Sequence, residues 1–271
     1  RGNVQLAESV AALVRIGRWS EANTLLSEAA SREISESVMA AMAGQIDPAL
    51  RLRMVRSEKL EEPARTFIEK LSKAATTVAQ SEKRLIAAVD NLDAASVDTR
   101  LAAVRTLLAG GNPAVKVLVE SAVSPSPTAP RDDILRTMLR LGDGGVEALR
   151  QLALYAAPAQ RLAALESLVR IDKDAVTREL VTALLASDST PDEIAFATTR
   201  LQNLSAKAID SAAGVDYLTH KLQRDRSAAK LVDNDFQSHI LWSVNDDRKS
   251  VDFREVQAML AAYLDAADAA S

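Results

Sequence analysis

The 271-residue sequence predicts an all-α protein built as a stack of antiparallel helix pairs. Three observations carry that expectation. Alanine occurs 49 times while aromatics make up only 3% of the chain, a balance that favours helices and starves strands of their preferred β-branched and aromatic residues. Apolar residues recur with helical spacing along almost the whole length, punctuated by glycine and proline. A pattern of about 31 residues also repeats within the middle of the chain, as stacked repeats require.

The periodicity predicts helices at roughly 4–16, 20–31, 34–44, 48–58, 63–79, 81–92, 97–109 and 113–123. It continues at 131–141, 145–156, 159–171, 174–186, 191–203, 214–230, 235–244 and 252–267. Asp47-Pro48 and Asn112-Pro113 place an acceptor at the N-cap and proline at the first helical position, where its missing N–H costs nothing. Thr190-Pro191-Asp192-Glu193 and Asp252-Phe253-Arg254-Glu255 have the spacing of capping boxes. Gly17, Gly44, Gly110 and Gly142 each follow an apolar helical pattern where a left-handed residue ends a helix.

The repeat emerges from self-comparison. Arg105-Thr106-Leu107-Leu108 aligns with Arg136-Thr137-Met138-Leu139, and Gly111, Val115 and Leu118 then fall on Gly142, Val146 and Leu149, an offset of 31. A further step of 30 brings Leu168, Val169 and Ile171 onto Met138, Leu139 and Leu141. Within the pairs, Leu101, Val104, Leu107 and Leu108 form one apolar stripe, and Leu162, Leu165, Leu168 and Val169 another. A single pair cannot cover both of its faces, whereas stacked neighbours can. Ser124-Pro125-Ser126-Pro127-Thr128-Ala129-Pro130 cannot be helical. A domain linker is one reading of it; the register surviving across it favours an extended loop between repeats.

Asp98-Thr99-Arg100-Leu101-Ala102-Ala103-Val104-Arg105-Thr106-Leu107-Leu108 resembles the second helix of a HEAT repeat, as does Gln160-Arg161-Leu162-Ala163-Ala164-Leu165-Glu166-Ser167-Leu168. The resemblance spans about 96–187 and implies a right-handed α-α superhelix, a HEAT/armadillo-like solenoid. Ile16-Gly17-Arg18-Trp19-Ser20-Glu21-Ala22 is similar to the turn and second helix of a tetratricopeptide repeat. The expected organisation is one helical-repeat domain over 1–271, with irregular, partly tetratricopeptide-like helical hairpins at 1–95, HEAT-like repeats at 96–187 and an irregular helical cap at 188–271.

A net charge of −4 and a pI near 5.4 argue against general attraction to nucleic acid. Cysteine is absent, which removes disulfides, zinc-thiolate sites and thiol catalysis. No apolar run reaches the ~18 residues of a membrane span, so a soluble chain is expected. The opening Arg1-Gly2-Asn3 lacks an initiator Met; a cytoplasmic protein and an exported or excised domain of a longer precursor both stay open.

Arg100, Arg131 and Arg161 stand seven residues before Leu107, Met138 and Leu168. Such a ladder either makes an anion-binding edge or braces neighbouring turns, the role the family resemblance implies. Arg51, Arg53 and Arg56, with Lys59, form the densest basic stretch, a solvated surface or a dock for an acidic partner. His220 and His239 are too far apart for a helical metal pair, and no metal or cofactor is expected. Phe236, Ile240, Leu241 and Trp242 form the most aromatic patch, which becomes the first choice of partner site if exposed. The expected function is therefore a non-catalytic scaffold that binds a protein or peptide on its concave face. Two alternatives accompany it: a HEAT-like enzyme of nucleic-acid repair or lyase type with a groove active site, and a structural extracytoplasmic domain of a larger protein.

Overall fold

A computed structural model describes residues 2–171, 176–204, 211–229 and 238–268. Its described residues form fifteen α-helices and one two-stranded sheet. They divide into two compact units, 1–85 and 86–271.

In the first unit, α1 (Asn3–Arg15) and α2 (Trp19–Ala30) form a helical hairpin. Gly17 turns the chain with φ of 81°, which favours glycine. Ala22 is fully buried and the half-buried Trp19 packs against the core. Then come α3 (Glu36–Gly44), α4 (Pro48–Val55) and α5 (Glu62–Ala79). Asp47 caps α4 by accepting from the backbone N–H groups of Ala49 and Leu50 at 2.9 and 3.3 Å, as the Asp-Pro signal predicts. The long α5 buries Ala64, Phe67, Ile68, Leu71 and Ala74, one amphipathic face against which α2, α3 and α4 pack. Asn23 supplies the polar tie: its Nδ2 donates to the Lys59 carbonyl at 2.9 Å and its Oδ1 accepts from Glu61 N–H at 3.0 Å. Gly44, expected to adopt a left-handed stop, is instead the last residue of α3 and has no positive φ.

Helix α6 (Glu82–Asp90) carries the unit boundary, and a 3-10 turn over Asn91–Asp93 follows. The second unit continues through α7 (Val97–Gly110), α8 (Asn112–Ala122), α9 (Arg131–Leu139), α10 (Gly144–Tyr155), α11 (Pro158–Ile171), α12 (Thr177–Leu185), α13 (Pro191–Leu204) and α14 (Ser211–Ala229). α10 packs on both α8 and α12, α12 packs on α14, and α11 packs on α13. One register position is buried alike, Leu107 and Met138 at 0% exposure and Leu168 at 1%, whereas at the next Leu139 is 45% exposed and Val169 6%. The proline-rich segment lies inside this unit as the α8–α9 loop, closed by the Arg131 guanidinium donating to the Ser124 carbonyl at 3.0 Å. The α7–α8 turn is made by Gly111 with φ of 60°, one residue beyond the expected Gly110, so Gly111 rather than Asn112 sits at the N-cap of α8.

The C-terminal region departs from the expected helices at 235–244 and 252–267. Ser238–Val244 is strand β1 and Val251–Gln257 is strand β2, an antiparallel hairpin in which Trp242 faces Phe253. Asp252-Phe253-Arg254-Glu255 is therefore extended backbone and not a capping box. Among the described residues of those two spans and just beyond, only Ala258–Asp268, helix α15, is helical. The hairpin lies on α8 and α10, with Trp242 over Gly144, where an added Cβ would meet its Nε1 at 3.5 Å. Burial of Trp242 against a helix face, with the half-buried Phe253 beside it, stabilises strands that a lone hairpin in water could not hold.

Replacing Asn23 with alanine leaves the Lys59 carbonyl and the Glu61 N–H without their buried partner. Equilibrium urea unfolding of N23A is expected to show a loss of about 2 kcal/mol.

Candidate functional site

Every guanidinium of the arginine ladder turns inward. Arg100 Nη1 donates to the carbonyls of Ala94 and Ala95 at 2.6 and 3.1 Å. Arg131 closes the proline-rich loop and lies 3.6 Å from Glu166. Arg161 does more. Its side chain is 3% exposed, and it holds the wholly buried Glu193 by two bonds, Nε to Oε1 at 2.5 Å and Nη2 to Oε2 at 3.1 Å. The same guanidinium donates to the Asp188 carboxylate at 2.9 Å and the Asp188 carbonyl at 3.1 Å.

Glu193 is also the third helical residue of α13. Its Oε2 accepts from the N–H of Thr190 at 2.7 Å, and its own N–H donates to Thr190 Oγ1 at 3.3 Å, a reciprocal capping box. One carboxylate thus starts α13 and neutralises a buried cation on α11. Burial alone would raise its pKa, but the bonds from Arg161 and Thr190 outweigh that and hold it below the ordinary glutamate range. Glu193 in turn keeps Arg161 protonated beyond its usual range.

Asp188 extends the network to the hairpin, its Oδ2 lying 3.5 Å from Arg248. Arg248 sits in the β1–β2 turn with φ of 57°. Its Nε and Nη2 donate to the carbonyls of Tyr155 and Ala156 at 2.9 and 3.1 Å, and its carbonyl accepts from Ala157 N–H at 2.7 Å. The hairpin tip therefore satisfies carbonyls at the end of α10 that have no intrahelical donor.

These contacts form one wall of a cleft of about 480 Å³. Arg161, Arg178, Asp188 and Arg248 bring charge to it, and Leu154, Leu185 and Leu218 bring apolar surface. At Gly214 a Cβ would come within 3.1 Å of Leu185 and 3.2 Å of Val181. The missing side chain lets α14 approach α12 and set Leu218 on the rim one turn later. Beside the cleft, Glu179 is 2% exposed with its Oε2 unpartnered among the described residues. Burial raises its carboxyl, and Arg150 at 3.8 Å only partly offsets this.

The residues named from sequence as partner contacts are not gathered here. Trp242 is 2% exposed and Leu241 8%, so the condition of an exposed aromatic patch is not met at either; Phe236 lies outside the described residues. Arg51, Arg53 and Arg56 belong to α4 and its C-cap in the first unit. Arg53 and Arg56 are exposed, whereas Arg51 is half-buried and desolvation lowers its pKa. His220 and His239 are both exposed. Sequence reasoning missed Arg178 and Arg248, which belong to no repeated position. No family model, curated protein or solved structure matches this chain.

Substituting Glu193 with alanine strands a buried guanidinium, and E193A is expected to lose about 3–5 kcal/mol in chemical denaturation. Because the folded Glu193 pKa is depressed, its contribution is complete above the ordinary glutamate range and is lost as pH falls through the lower folded value. Glu179 has the opposite sign. With its folded pKa raised, the native state binds more protons than the unfolded chain between the two values, so stability falls as pH rises across that window. E179Q is expected to melt higher than wild type at pH 7–8, with the gap closing below the ordinary glutamate range.

Proposed function

We propose that this chain is a non-catalytic scaffold that binds a protein or peptide, and that its second unit is a HEAT-like solenoid of right-handed hand. The shared burial of Leu107, Met138 and Leu168 and the succession of α8, α10, α12 and α14 support the solenoid reading. The inward engagement of the arginine ladder supports a bracing role for it.

The observation that carries the binding role is on α7. Val97, Leu101, Val104 and Leu108 recur at helical spacing and lie within a narrow arc of the helix. Val97 is 58% exposed and Leu101 46%, while Val104 and Leu108, further along the same face, are half-buried. Leu107, on the adjoining face, is fully buried. The helix thus has two apolar faces, and the described residues cover one fully and the other only in part. A partly uncovered apolar stripe of this kind is what an amphipathic helix or apolar peptide docks against. Among the described residues no helix is long and apolar enough to cross a membrane, so the stripe does not belong to a helical membrane span.

A photo-crosslinking residue at position 101 tests this directly in the source cell. It is expected to trap a defined protein or peptide, and trapping from position 97 is expected to be abolished by L101D. L101D itself should change folding stability by no more than about 1 kcal/mol, since the side chain is largely exposed. Failure to trap any protein from position 101, or undiminished trapping from position 97 in the L101D variant, would sink the reading.

A further inference from the structure

The cleft in the second unit has the size of a small-molecule site, about 480 Å³. Its cations are unequally occupied. Arg161 is bonded to Glu193 and Asp188, and Arg248 to two helix-end carbonyls with Asp188 beyond. Arg178, half-buried on α12, has no hydrogen-bond or ion-pair partner among the described residues. Asp188 and Glu193 are taken up by Arg161 and Arg248, and the buried Glu179 beside Arg178 couples to it only through space, so Arg178 alone of the three forms no ion pair among the described residues.

The helix beneath this charge is graded. Arg178, Thr182 and Leu185 follow at i, i+4 and i+7, one face of α12, and all three line the cleft. A cation, a hydroxyl and an apolar side chain are thus set in line, with Leu218 of α14 opposite. We propose that the cleft binds an organic anion, a carboxylate carried on an apolar body. Arg178 takes the carboxylate by charge-assisted bonds, Thr182 donates a further one, and Leu185 and Leu218 enclose the apolar part. One guanidinium without an ion-pair partner matches one negative charge. The exposed carboxylate of Asp188 on the same wall disfavours a more highly charged group such as phosphate.

The site is distinct from the α7 stripe, and its test does not depend on that stripe. Calorimetric titration of the intact chain with octanoate is expected to show saturable one-to-one binding, with octanamide weaker by about tenfold or more. R178Q should weaken octanoate by a similar factor without changing the melting temperature, R178K should retain part of the affinity, and L101D should leave it unaltered. A second arm compares a short acetylated peptide ending in a free leucine carboxylate with the same peptide amidated. Selective binding of the peptide acid assigns the ligand to a protein C-terminus, and binding of octanoate assigns it to a free acid; either supports the proposal. Absence of saturable binding by both probes, undiminished octanoate binding in R178Q, or inorganic phosphate binding as tightly as octanoate would overturn it.

Discussion

The second unit is organised around one guanidinium that is almost wholly buried. Arg161 is buried at 3% exposure, and a cation in that position is tolerable only with its charge matched and its N–H groups bonded. Glu193 supplies the charge from α13, while Asp188 supplies a carboxylate and a carbonyl from the intervening turn. The requirement propagates outward. Glu193 can reach Arg161 because it is the capping glutamate of α13, so the start of that helix and the neutralisation of α11 are one event. Asp188 then meets Arg248, which ties the hairpin turn to the same point.

Much of this was legible in the amino-acid sequence as separate facts. The helix pairs could be read because their apolar stripes are local, and the burial of Leu107, Met138 and Leu168 follows their shared register. Thr190-Pro191-Asp192-Glu193 announced a capping box, and Arg161 stood out by its place in the ladder. What sequence could not join was Arg161 to Glu193. They lie 32 residues apart, and an acidic partner at no constant offset from the other ladder arginines leaves nothing periodic to detect. Arg178 and Arg248 were invisible for a related reason: each is one arginine among many until the fold sets α12 and the hairpin turn beside the same cleft.

The hairpin was misread for a different physical reason. Asp252-Phe253-Arg254-Glu255 satisfies the spacing of a helix start, and a helix needs no distant partner to propose itself. A strand does. Yet two runs rich in apolar and aromatic residues, Ile240-Leu241-Trp242 and Val251 to Val256, flank the turn-forming Asn245-Asp246-Asp247, which is the pattern of a hairpin. The alternation of Val251, Asp252 and Phe253 is matched by their burial, with Val251 buried and Asp252 exposed. Pairing of Trp242 with Phe253, ring centroids 5.2 Å apart, decides between the two local readings. Placing the Trp242 ring over Gly144 couples the decision to the α10 surface.

The turn of that hairpin shows why an arginine stands where glycine would be easier. A left-handed conformation costs an L-residue about 1–2 kcal/mol, and Arg248 carries it with φ of 57°. Glycine would remove the strain but leave the carbonyls of Tyr155 and Ala156 without their donors. Bonds from a charged donor contribute about 1.5–3 kcal/mol each when sheltered and less when half-exposed, as Arg248 is at 51%. Even at the reduced value the two bonds offset the backbone strain, and the Ala157 N–H accepted by the Arg248 carbonyl adds a third fixed point. The side chain therefore selects the residue and the backbone yields to it. Because the same guanidinium forms part of the cleft wall, the strained turn that ends α10 also fixes the geometry of the cavity beside Arg178.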